Sequence, residues 1–365
     1  MRLSYSFFII FHLLLLFSCS KSEQINSDQS YTIEIKDGVK LVHNHSPLWG
    51  EEPKVALELI RTYGSLDEQD ENFQFYRLRG VARDSTGNLF ILDGGNYRIQ
   101  KFDENGNFLR TIGRRGQGPS EFSIPRSLEI DSQGNLYVAD GTVGGLVIVL
   151  DNSGKEIRRI RTEGIKIDHF RISLSGMIGL PMIETMDVTT PIAGLYDNNF
   201  KNMVRIGEKI DLGEEEKSAY FNSAAIAFDY EEHIYLSFIT QNRIDKYTLD
   251  GTLLWQSDRP LPVEPGTRKV GDEERPVTVA TMVNIDYKNR IWVSTVNKPP
   301  SGVKTEDEQD ESNDKWVFHI LDKEGIFLGT LPTKYNITSC RIFGDRLYII
   351  DSENLSVMEY QIVEK

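Results

Sequence analysis

Residues 87–106 read GNLFILDGGNYRIQKFDENG, and residues 134–154 read GNLYVADGTVGGLVIVLDNSG, so the two stretches are copies of one pattern. Each copy contains two short runs rich in β-branched and aromatic residues, separated by Asp, Asn and Gly. Such runs predict strands, and the polar separators predict tight turns between them. Self-similarity of this kind indicates a repeat architecture. The predicted repeating unit is therefore a β-meander.

The same pattern predicts six repeats. The second strand of each repeat is an apolar run after a turn, and the six candidates are residues 89–92, 136–139, 177–180, 234–236, 291–293 and 347–350. Predicted third strands follow, and most run into an Asp-rich turn such as Asp103-Glu104-Asn105-Gly106. Asn and Gly accept the left-handed backbone that hairpin turns require. The third repeat matches least well, because its second strand lacks the aromatic residue.

An outer-strand pattern also precedes the first repeat. Residues 54–64 read KVALELIRTYG and resemble the end of the first repeat, whereas the last repeat stops after its third strand at residues 357–363. We infer that the N-terminal strand completes the last repeat, which closes a ring and hides the sheet edges at its seam. The predicted fold is all-β: a six-bladed β-propeller of four-stranded antiparallel blades over residues 51–365.

Two insertions interrupt the repeats. Residues 259–276 contain four prolines and many charges, which predicts a long surface loop between the fourth and fifth blades. Residues 301–314 read SGVKTEDEQDESND and lie inside the fifth blade. Such a charge run is usually a solvated loop; a calcium or partner contact is the alternative, although the spacing of a calcium-binding loop is missing.

Composition narrows the classes of partner. The 365 residues are 39% hydrophobic and carry a formal net charge of -14. This apolar content is enough for a large core and excludes wholesale disorder. The negative charge argues against a nucleic-acid partner, whose phosphates would be repelled. With Cys19 and Cys340 as the two cysteines, no internal disulfide is expected.

The N-terminus predicts export and a lipid anchor. Residues 1–18 combine Arg2 with a short apolar run that ends in small residues, as a signal peptide does. The ending Leu16-Phe17-Ser18-Cys19 resembles the lipobox of bacterial lipoproteins, which implies a lipidated Cys19; an ordinary signal peptide is the alternative. Residues 19–50 are expected to form a flexible tether, in which His43 and His45 are a weak metal candidate. Ser20 resembles the residue that directs such lipoproteins to an outer membrane.

With the repeats placed, residues 87–106, 112–131 and 134–141 resemble NHL-type repeats. More narrowly, they resemble the six-bladed β-propeller lipoproteins of Bacteroides and relatives. The resemblance covers about residues 50–365 and is specific over roughly 75–160. It implies a propeller and a cell-envelope location, and it implies no particular ligand.

The first strands supply the candidate ligand site. In such a propeller they line the central channel, and aligning them on their turns places four arginines near one channel end: Arg79, Arg126, Arg171 and Arg341. Ala224 and Thr281 take the aligned positions in the fourth and fifth blades. Converging guanidinium groups would bind a carboxylate or phosphate, so a small anionic ligand is the natural hypothesis.

Other polar residues map to the same face. Asp93, Asp140 and Asp351 end second strands there, so they either pair with the four arginines and join the blades or cap the following turns. Tyr97, Arg98, Arg114 and Arg115 are expected on the rim loops, where Tyr97 could stack on a carbohydrate.

Three function classes remain open from sequence alone. The leading one is a non-catalytic binding module without a cofactor, whose partner is an anionic or carbohydrate ligand or an envelope protein. A scaffold subunit of a surface complex is the second. The third is a metal-dependent hydrolase or lyase of the gluconolactonase or amidating-lyase propeller type. It is disfavoured because arginines at the channel mouth repel a cation and because His169, His233 and His319 fall at unlike repeat positions.

Overall fold

The computed structural model of the chain describes residues 29–365, apart from 142–144, 163–166, 183–186, 202, 271–272 and 299–314. The predicted signal peptide, Cys19 and the acidic loop at 301–314 therefore lie outside the described residues.

The described chain begins with three strands, β1 (Tyr31–Lys36), β2 (Val39–Asn44) and β3 (Val55–Tyr63). Six antiparallel units of four strands form the ring, and β3 belongs to the last of them. Blade 1 contains β4 (Leu78–Arg83), β5 (Leu89–Asp93), β6 (Arg98–Phe102) and β7 (Phe108–Ile112). Blade 2 contains β8 (Pro125–Ile130), β9 (Leu136–Asp140), β10 (Leu146–Leu150) and β11 (Glu156–Arg161). Blade 3 contains β12 (Arg171–Ile172), β13 (Ile178–Pro181), β14 (Pro191–Tyr196) and β15 (Val204–Glu208).

After the helix α1 (Glu215–Phe221), blade 4 contains β16 (Ala224–Phe228), β17 (Ile234–Phe238), β18 (Ile244–Tyr247) and β19 (Leu253–Asp258). The hairpin β20 (Thr267–Val270) and β21 (Glu273–Pro276) separates it from the next blade. Blade 5 contains β22 (Ala280–Ile285), β23 (Ile291–Val296), β24 (Trp316–Leu321) and β25 (Phe327–Pro332). Blade 6 contains β26 (Cys340–Phe343), β27 (Arg346–Asp351), β28 (Ser356–Glu364) and, from the N-terminal segment, β3.

The six first strands surround the channel, because each contacts the first strand of the next blade and β26 contacts β4. The predicted closure is confirmed: β3 pairs antiparallel with β28, and Leu57 lies opposite Ile362. All six predicted second strands are also confirmed, in β5, β9, β13, β17, β23 and β27. The described part of the chain is thus a six-bladed β-propeller.

One Asp-centred turn recurs on the face opposite the predicted site. Asp84 accepts hydrogen bonds from the backbone N–H groups of Thr86 and Asn88, at 3.0 and 2.9 Å. The same bonds, to residues two and four positions further on, recur at Asp103, Asp131, Asp151, Asp197, Asp229, Asp286 and Asp322. Because each side chain replaces missing backbone partners, the turn fixes where the strands on either side end.

The hydrophobic core lies between the blades. At the junction of blades 5 and 6, Trp292 and Phe318 pack edge to face, with ring centroids 5.4 Å apart, in one buried cluster with Leu347 and Ile349. The junction of blades 1 and 2 is built in the same way around Phe90. The channel is therefore held by a packed interface at each blade junction, which keeps the first strands in fixed positions.

The predicted flexible tether over residues 19–50 is wrong for its second half. β1 and β2 form a hairpin, and β2 pairs in parallel with β19, which extends the sheet of blade 4 to six strands. Asp37 and Gly38, with φ of 51° and 84°, form the turn; both residues tolerate the left-handed backbone that such a two-residue connection requires. The propeller domain therefore begins at about Tyr31, before the predicted boundary at residue 51.

Side chains at the end of β2 hold this hairpin in place. Asn44 Nδ2 donates to Ser257 Oγ at 3.1 Å and to the carbonyl of Gly325 at 3.0 Å. His43 Nδ1 lies 2.7 Å from Asp258 Oδ2. The pair His43 and His45, considered above for a metal, thus belongs to a segment docked on blade 4.

The predicted long loop at residues 259–276 is only partly irregular, because β20 and β21 pair within it, with Thr267 opposite Pro276. Among the described residues, no helix has the length and hydropathy needed to span a membrane.

Removing N-terminal segments tests which strand closes the ring. A chain beginning at residue 46 lacks β1 and β2 but keeps all six four-stranded blades, so it should fold as a monomer with a lowered melting temperature. A chain beginning at residue 70 also lacks β3 and exposes the edge of β28, so it should aggregate. Circular dichroism and size-exclusion chromatography compare the two. Equal behaviour of both chains would contradict the assigned role of β3.

Candidate functional site

The mouth face is the propeller face on which the first strands begin and the loops between second and third strands lie. Arg79 and Arg126 both lie there, each as the extra residue of a β-bulge at the start of its first strand. Thr281 is the corresponding bulge residue of blade 5. A bulge re-aims a side chain out of the regular alternation of a strand, so these three residues occupy equivalent positions around the channel.

The glycines that follow Asp93 and Asp140 make room for these two arginines. A Cβ atom at Gly94 would lie 2.5 Å from Arg79 Cγ, and one at Gly141 would lie 2.0 Å from Arg126 Nε. Any larger residue would therefore displace the arginine beside it.

Arg171 and Arg341 lie deeper in the channel than predicted. Arg171 is opposite Gly179 and Arg341 is opposite Tyr348, which lie two and three residues before the mouth-side ends of β13 and β27. The prediction was wrong for two local reasons. The turn of blade 3 begins at Ser173 and not at the aligned Ser175, as the hydrogen bond from Gly176 N to Ser173 O shows. In blade 6 the first strand already ends at Phe343, two residues before the aligned Asp345.

Glu129 connects these two deeper arginines. It lies opposite Tyr137, at the corresponding level of blade 2, and is only 4% exposed. Arg171 Nη1 donates to its Oε1 at 3.1 Å, and Arg341 donates to both carboxylate oxygens, with Nη2 3.0 Å from Oε2. Since blade 1 separates blades 2 and 6, this ion triad crosses the channel.

Burial and like charge act on the groups around the triad. Burial, and then the neighbouring Arg341, lower the pKa of Arg171 to about 10. Burial raises the pKa of the Cys340 thiol to about 11. Desolvation, and then Arg171, lower the pKa of His169. At neutral pH Cys340 is therefore a thiol and His169 is uncharged, while Arg171 keeps its charge.

Arg126 is only partly satisfied. Its Nη1 donates to Asp168 Oδ1 at 3.0 Å, but its Nε is buried without a hydrogen-bond partner. Arg79 is exposed and makes no hydrogen bond or ion pair with the residues that the structure describes. A buried donor without an acceptor is unfavourable. Two guanidinium groups thus lie at the channel mouth and two lie deeper, and the described residues form ion pairs with these four through Glu129 and Asp168 only.

The three predicted aspartates do not neutralise those arginines. Asp93 accepts from Tyr76 N at 2.7 Å and from Arg98 Nε at 2.9 Å. Asp140 accepts from the backbone N–H groups of Ser123 and Ile124. These bonds hold the segments that lead into the first strands of blades 1 and 2.

Asp351 caps its own turn by accepting from Glu353 N and Asn354 N, both at 3.0 Å. Of the two roles considered for Asp351, pairing with an arginine or capping the following turn, the structure therefore shows turn capping.

The rim residues form local pairs. The guanidinium of Arg115 lies 5.3 Å from the ring centroid of Tyr97, which has φ of 58°. Arg114 pairs with Glu121 at 2.8 Å. One face of the Tyr97 ring is thus taken by a cation, which leaves less of the ring for a ligand to stack on.

The three histidines lie in different surroundings. His319 is buried and accepts from Arg259 Nε at 3.1 Å, whereas His233 Nδ1 lies 3.0 Å from Asp229 Oδ2 on the opposite face. Within the described ranges, no group of three or more His, Cys, Asp or Glu side chains is arranged to hold a metal ion.

A second concave site, which we call the blade-4 cleft, was not predicted. Its volume is about 1500 Å³, and it lies on the mouth face between α1, the β20–β21 hairpin and the outer strands of blade 4. Its floor is the loop between β17 and β18, which ends at Arg243. In the sequence, the cleft corresponds to two insertions, around residues 212–221 and 265–278, that interrupt the repeat. Nothing in the sequence indicates that these two insertions lie opposite each other.

Comparison with known proteins supports the fold. Residues 68–161, in blades 1 and 2 and the segment before them, match a family model described as a 6-bladed beta-propeller. Over 87 residues, the chain is 38% identical to NHL repeat-containing protein 3 of Homo sapiens, covering 23% of this chain and 25% of that protein. The predicted NHL-like repeat and six-bladed propeller are confirmed, while lipidation stays a prediction.

Two further similarities are more distant. Over 94 residues, the chain is 34% identical to peptidyl-glycine alpha-amidating monooxygenase B of Xenopus laevis, covering 24% of this chain and 11% of that protein. The chain thus spans about a quarter or less of the length of these curated relatives. A solved structure of a member of the duf4221 family from Bacteroides vulgatus shares 14% identity and a TM-score of 0.56, over 86% of this chain and 99% of that one. At this identity the likeness shows the fold alone.

The ion triad predicts a large effect of one substitution. Glu129→Gln leaves two largely buried guanidinium groups without their carboxylate, so it should lower the free energy of unfolding by about 3–5 kcal/mol. Urea denaturation measures the change, with Glu104→Gln on an exposed turn as the control. Adding Arg341→Met to Glu129→Gln should recover part of the loss, because it removes one uncompensated charge. A loss no larger than that of the control would contradict the assigned triad.

Proposed function

We propose that this six-bladed propeller is a non-catalytic binding protein of the cell envelope that takes a small anionic ligand at the mouth of its channel. The ligand class is one that carries a carboxylate or a phosphate. Arg79 and Arg126 would contact it, with Thr281 as a third polar group at an equivalent position.

The observation that carries this proposal is the unbalanced charge at the channel end. The four guanidinium groups along the channel form direct ion pairs, among the described residues, with Glu129 and Asp168 only, although the whole chain has a formal net charge of -14. The Nε of Arg126 and the hydroxyl of Thr281 are both buried without partners. A bound anion would supply the missing charge, and guanidinium groups suit planar oxyanions because they donate two parallel hydrogen bonds.

The deeper arginines support this role indirectly. Because Glu129 holds Arg171 and Arg341 in place, they contribute a fixed positive potential below the mouth without needing to touch the ligand. Inside a protein-lined channel such a potential is screened less than at an open surface. It therefore attracts an anion toward Arg79 and Arg126.

Catalysis receives less support from the same groups. The Cys340 thiol is protonated at neutral pH and buried, so it is a poor nucleophile. A divalent cation would meet guanidinium groups at the mouth, which is unfavourable. The similarity to the amidating monooxygenase covers only 24% of this chain, so it does not by itself assign an enzymatic activity to this chain.

A titration with simple anions tests the site. Inorganic phosphate and citrate should each raise the melting temperature of the mature protein, compared with sodium chloride at equal ionic strength. A ligand at 100 times its dissociation constant adds about 2.7 kcal/mol to the free energy of unfolding. Arg126→Ala should weaken the binding at least tenfold, whereas Arg110→Ala, on the outer strand of blade 1, should not. Absence of binding, or equal binding by Arg126→Ala, would overturn the proposal.

The proposed location rests on the leader and Cys19. Acyl chains on Cys19 would anchor the protein without a spanning helix, since two or more chains give stable attachment. We place it at the outer membrane, on the strength of Ser20 and the resemblance to envelope lipoproteins.

Replacing the proposed lipidated residue tests this location. In a Gram-negative host, the wild-type protein should fractionate with the outer membrane and incorporate labelled palmitate. Cys19→Ser should lose both properties, because no acyl chain can then be attached, while Cys340→Ser should keep both. Retention of Cys19→Ser in the membrane fraction would argue against the anchor.

A further inference from the structure

The blade-4 cleft has a rigid floor. Arg243 is held by a two-pronged ion pair with Asp245, in which Nε lies 2.8 Å from Oδ1 and Nη2 lies 2.6 Å from Oδ2. Asp245 is fully buried and also accepts from Tyr247 Oη at 2.9 Å and Gln256 Nε2 at 3.1 Å. The guanidinium carbon lies 4.4 Å from the ring centroid of Phe238. Arg243 is therefore fixed in position before any ligand arrives.

One edge of this guanidinium stays available. The Arg243 side chain is 25% exposed and lines the cleft. Its hydrogen bonds to the described residues use Nε and Nη2, so Nη1 has no partner among them. A preorganised donor facing a cavity is what a polar ligand requires, since no side-chain entropy is lost when it binds.

The wall formed by α1 is tied to the same floor. Gln241 Nε2 donates to the carbonyl of Phe221 at 2.5 Å, and Thr240 Oγ1 donates to the carbonyl of Tyr220 at 3.2 Å. Asn242 Nδ2 donates to the carbonyl of Arg259 at 2.7 Å, at the start of the segment that leads to the β20–β21 hairpin. The floor and both flanking insertions are thus connected, so the cleft is preformed.

Charges of both signs line the cleft, which limits the class of ligand. Its ionisable groups include the carboxylates of Glu214, Glu216, Asp258 and Glu274 and the cations of Lys217, Arg243 and Arg275. An anion would be repelled by the first group and a cation by the second. A neutral ligand that both donates and accepts hydrogen bonds can meet both, and hydroxyl groups do so at every position.

An exposed aromatic side chain at the cleft supports the same class. Tyr220 lines the cleft and is 48% exposed, so its ring offers a flat apolar face on the α1 wall. The floor backbone is already used, because Ile239 N donates to Ser223 O and Arg243 N donates to Gln241 O. Recognition therefore falls on side chains, which suits hydroxyl groups better than it suits the backbone of an extended peptide.

We propose that the blade-4 cleft is a binding site for a neutral oligosaccharide, with Arg243 and the Tyr220 ring as its main contacts. This site is separate from the anion site at the channel mouth. Its volume of about 1500 Å³ exceeds the range of roughly 300–1,000 Å³ typical of sites for single small molecules, which fits a ligand of several sugar units.

The test is a screen of the fluorescently labelled mature protein against an array of neutral and acidic oligosaccharides. Wild type should bind at least one neutral structure. Tyr220→Ala should weaken that binding at least tenfold by removing the ring, and Thr278→Trp should weaken it at least tenfold by placing a bulky ring in the cleft from an exposed position of its lining. Tyr287→Ala, an exposed tyrosine on the opposite face, is the matched control and should bind as wild type does.

Circular dichroism and melting temperatures confirm that each variant is folded. Arg243→Lys is a further variant, which keeps the positive charge but loses the planar guanidinium group. It should bind at least tenfold more weakly than wild type. Binding of acidic structures alone, equal binding by Thr278→Trp, or no binding to any oligosaccharide would each overturn the proposal. Binding of peptides from a test panel, without binding of oligosaccharides, would also overturn the proposal. None of these outcomes depends on the phosphate and citrate titration, so the two sites succeed or fail separately.

Discussion

The structure depends on the pairing of β3 with β28. This contact joins residues about 300 positions apart in the chain, for example Tyr63 and Val357, and it turns a row of five complete blades and one incomplete blade into a closed ring. Without it, the outer edge of β28 would offer unpaired backbone groups to other chains. Closure also brings β26 against β4. The channel therefore forms only when the two ends of the ring meet, and only then are its charged side chains brought together.

Much of this fold could be predicted from sequence because the information is local. The Asp-centred turn appears in the chain as Asp followed by polar residues and usually Gly, and each copy fixes the ends of two strands. The alignment failed where that turn changes: Ser173 replaces Asp in blade 3, and the turn of blade 6, between Phe343 and Arg346, is shorter. Those are the two blades whose arginines were placed too close to the mouth. The docked hairpin β1–β2 was missed although Asp37-Gly38 is a strong local turn signal, because its polar surroundings resembled a tether.

The site was less predictable because it depends on contacts between distant residues. Arg341 and Glu129 are 212 positions apart, and no local pattern indicates that a glutamate in blade 2 would hold an arginine from blade 6. The blade-4 cleft presents the same difficulty, since its two walls are insertions on either side of one blade. Insertions carry no repeat pattern, so their relative positions follow only from the packing of the ring beneath them.

The two proposed sites differ in how the scaffold treats charge. In the channel, two arginines share one glutamate in a place where well-packed apolar residues of similar size would often be as stable or more stable. The packed junctions on both sides of each blade allow that cost to be carried without loss of the fold. In the cleft, by contrast, Asp245 neutralises Arg243 before a ligand arrives. Arg243 then offers a ligand a hydrogen-bond donor in a fixed orientation, but no net charge. At the mouth, the excess of positive charge favours negatively charged ligands. In the cleft, a donor whose charge is already neutralised selects ligands by the positions of their hydroxyl groups. The same residue type therefore supports two kinds of recognition on one face, and the difference lies in the number of carboxylates that each arginine meets.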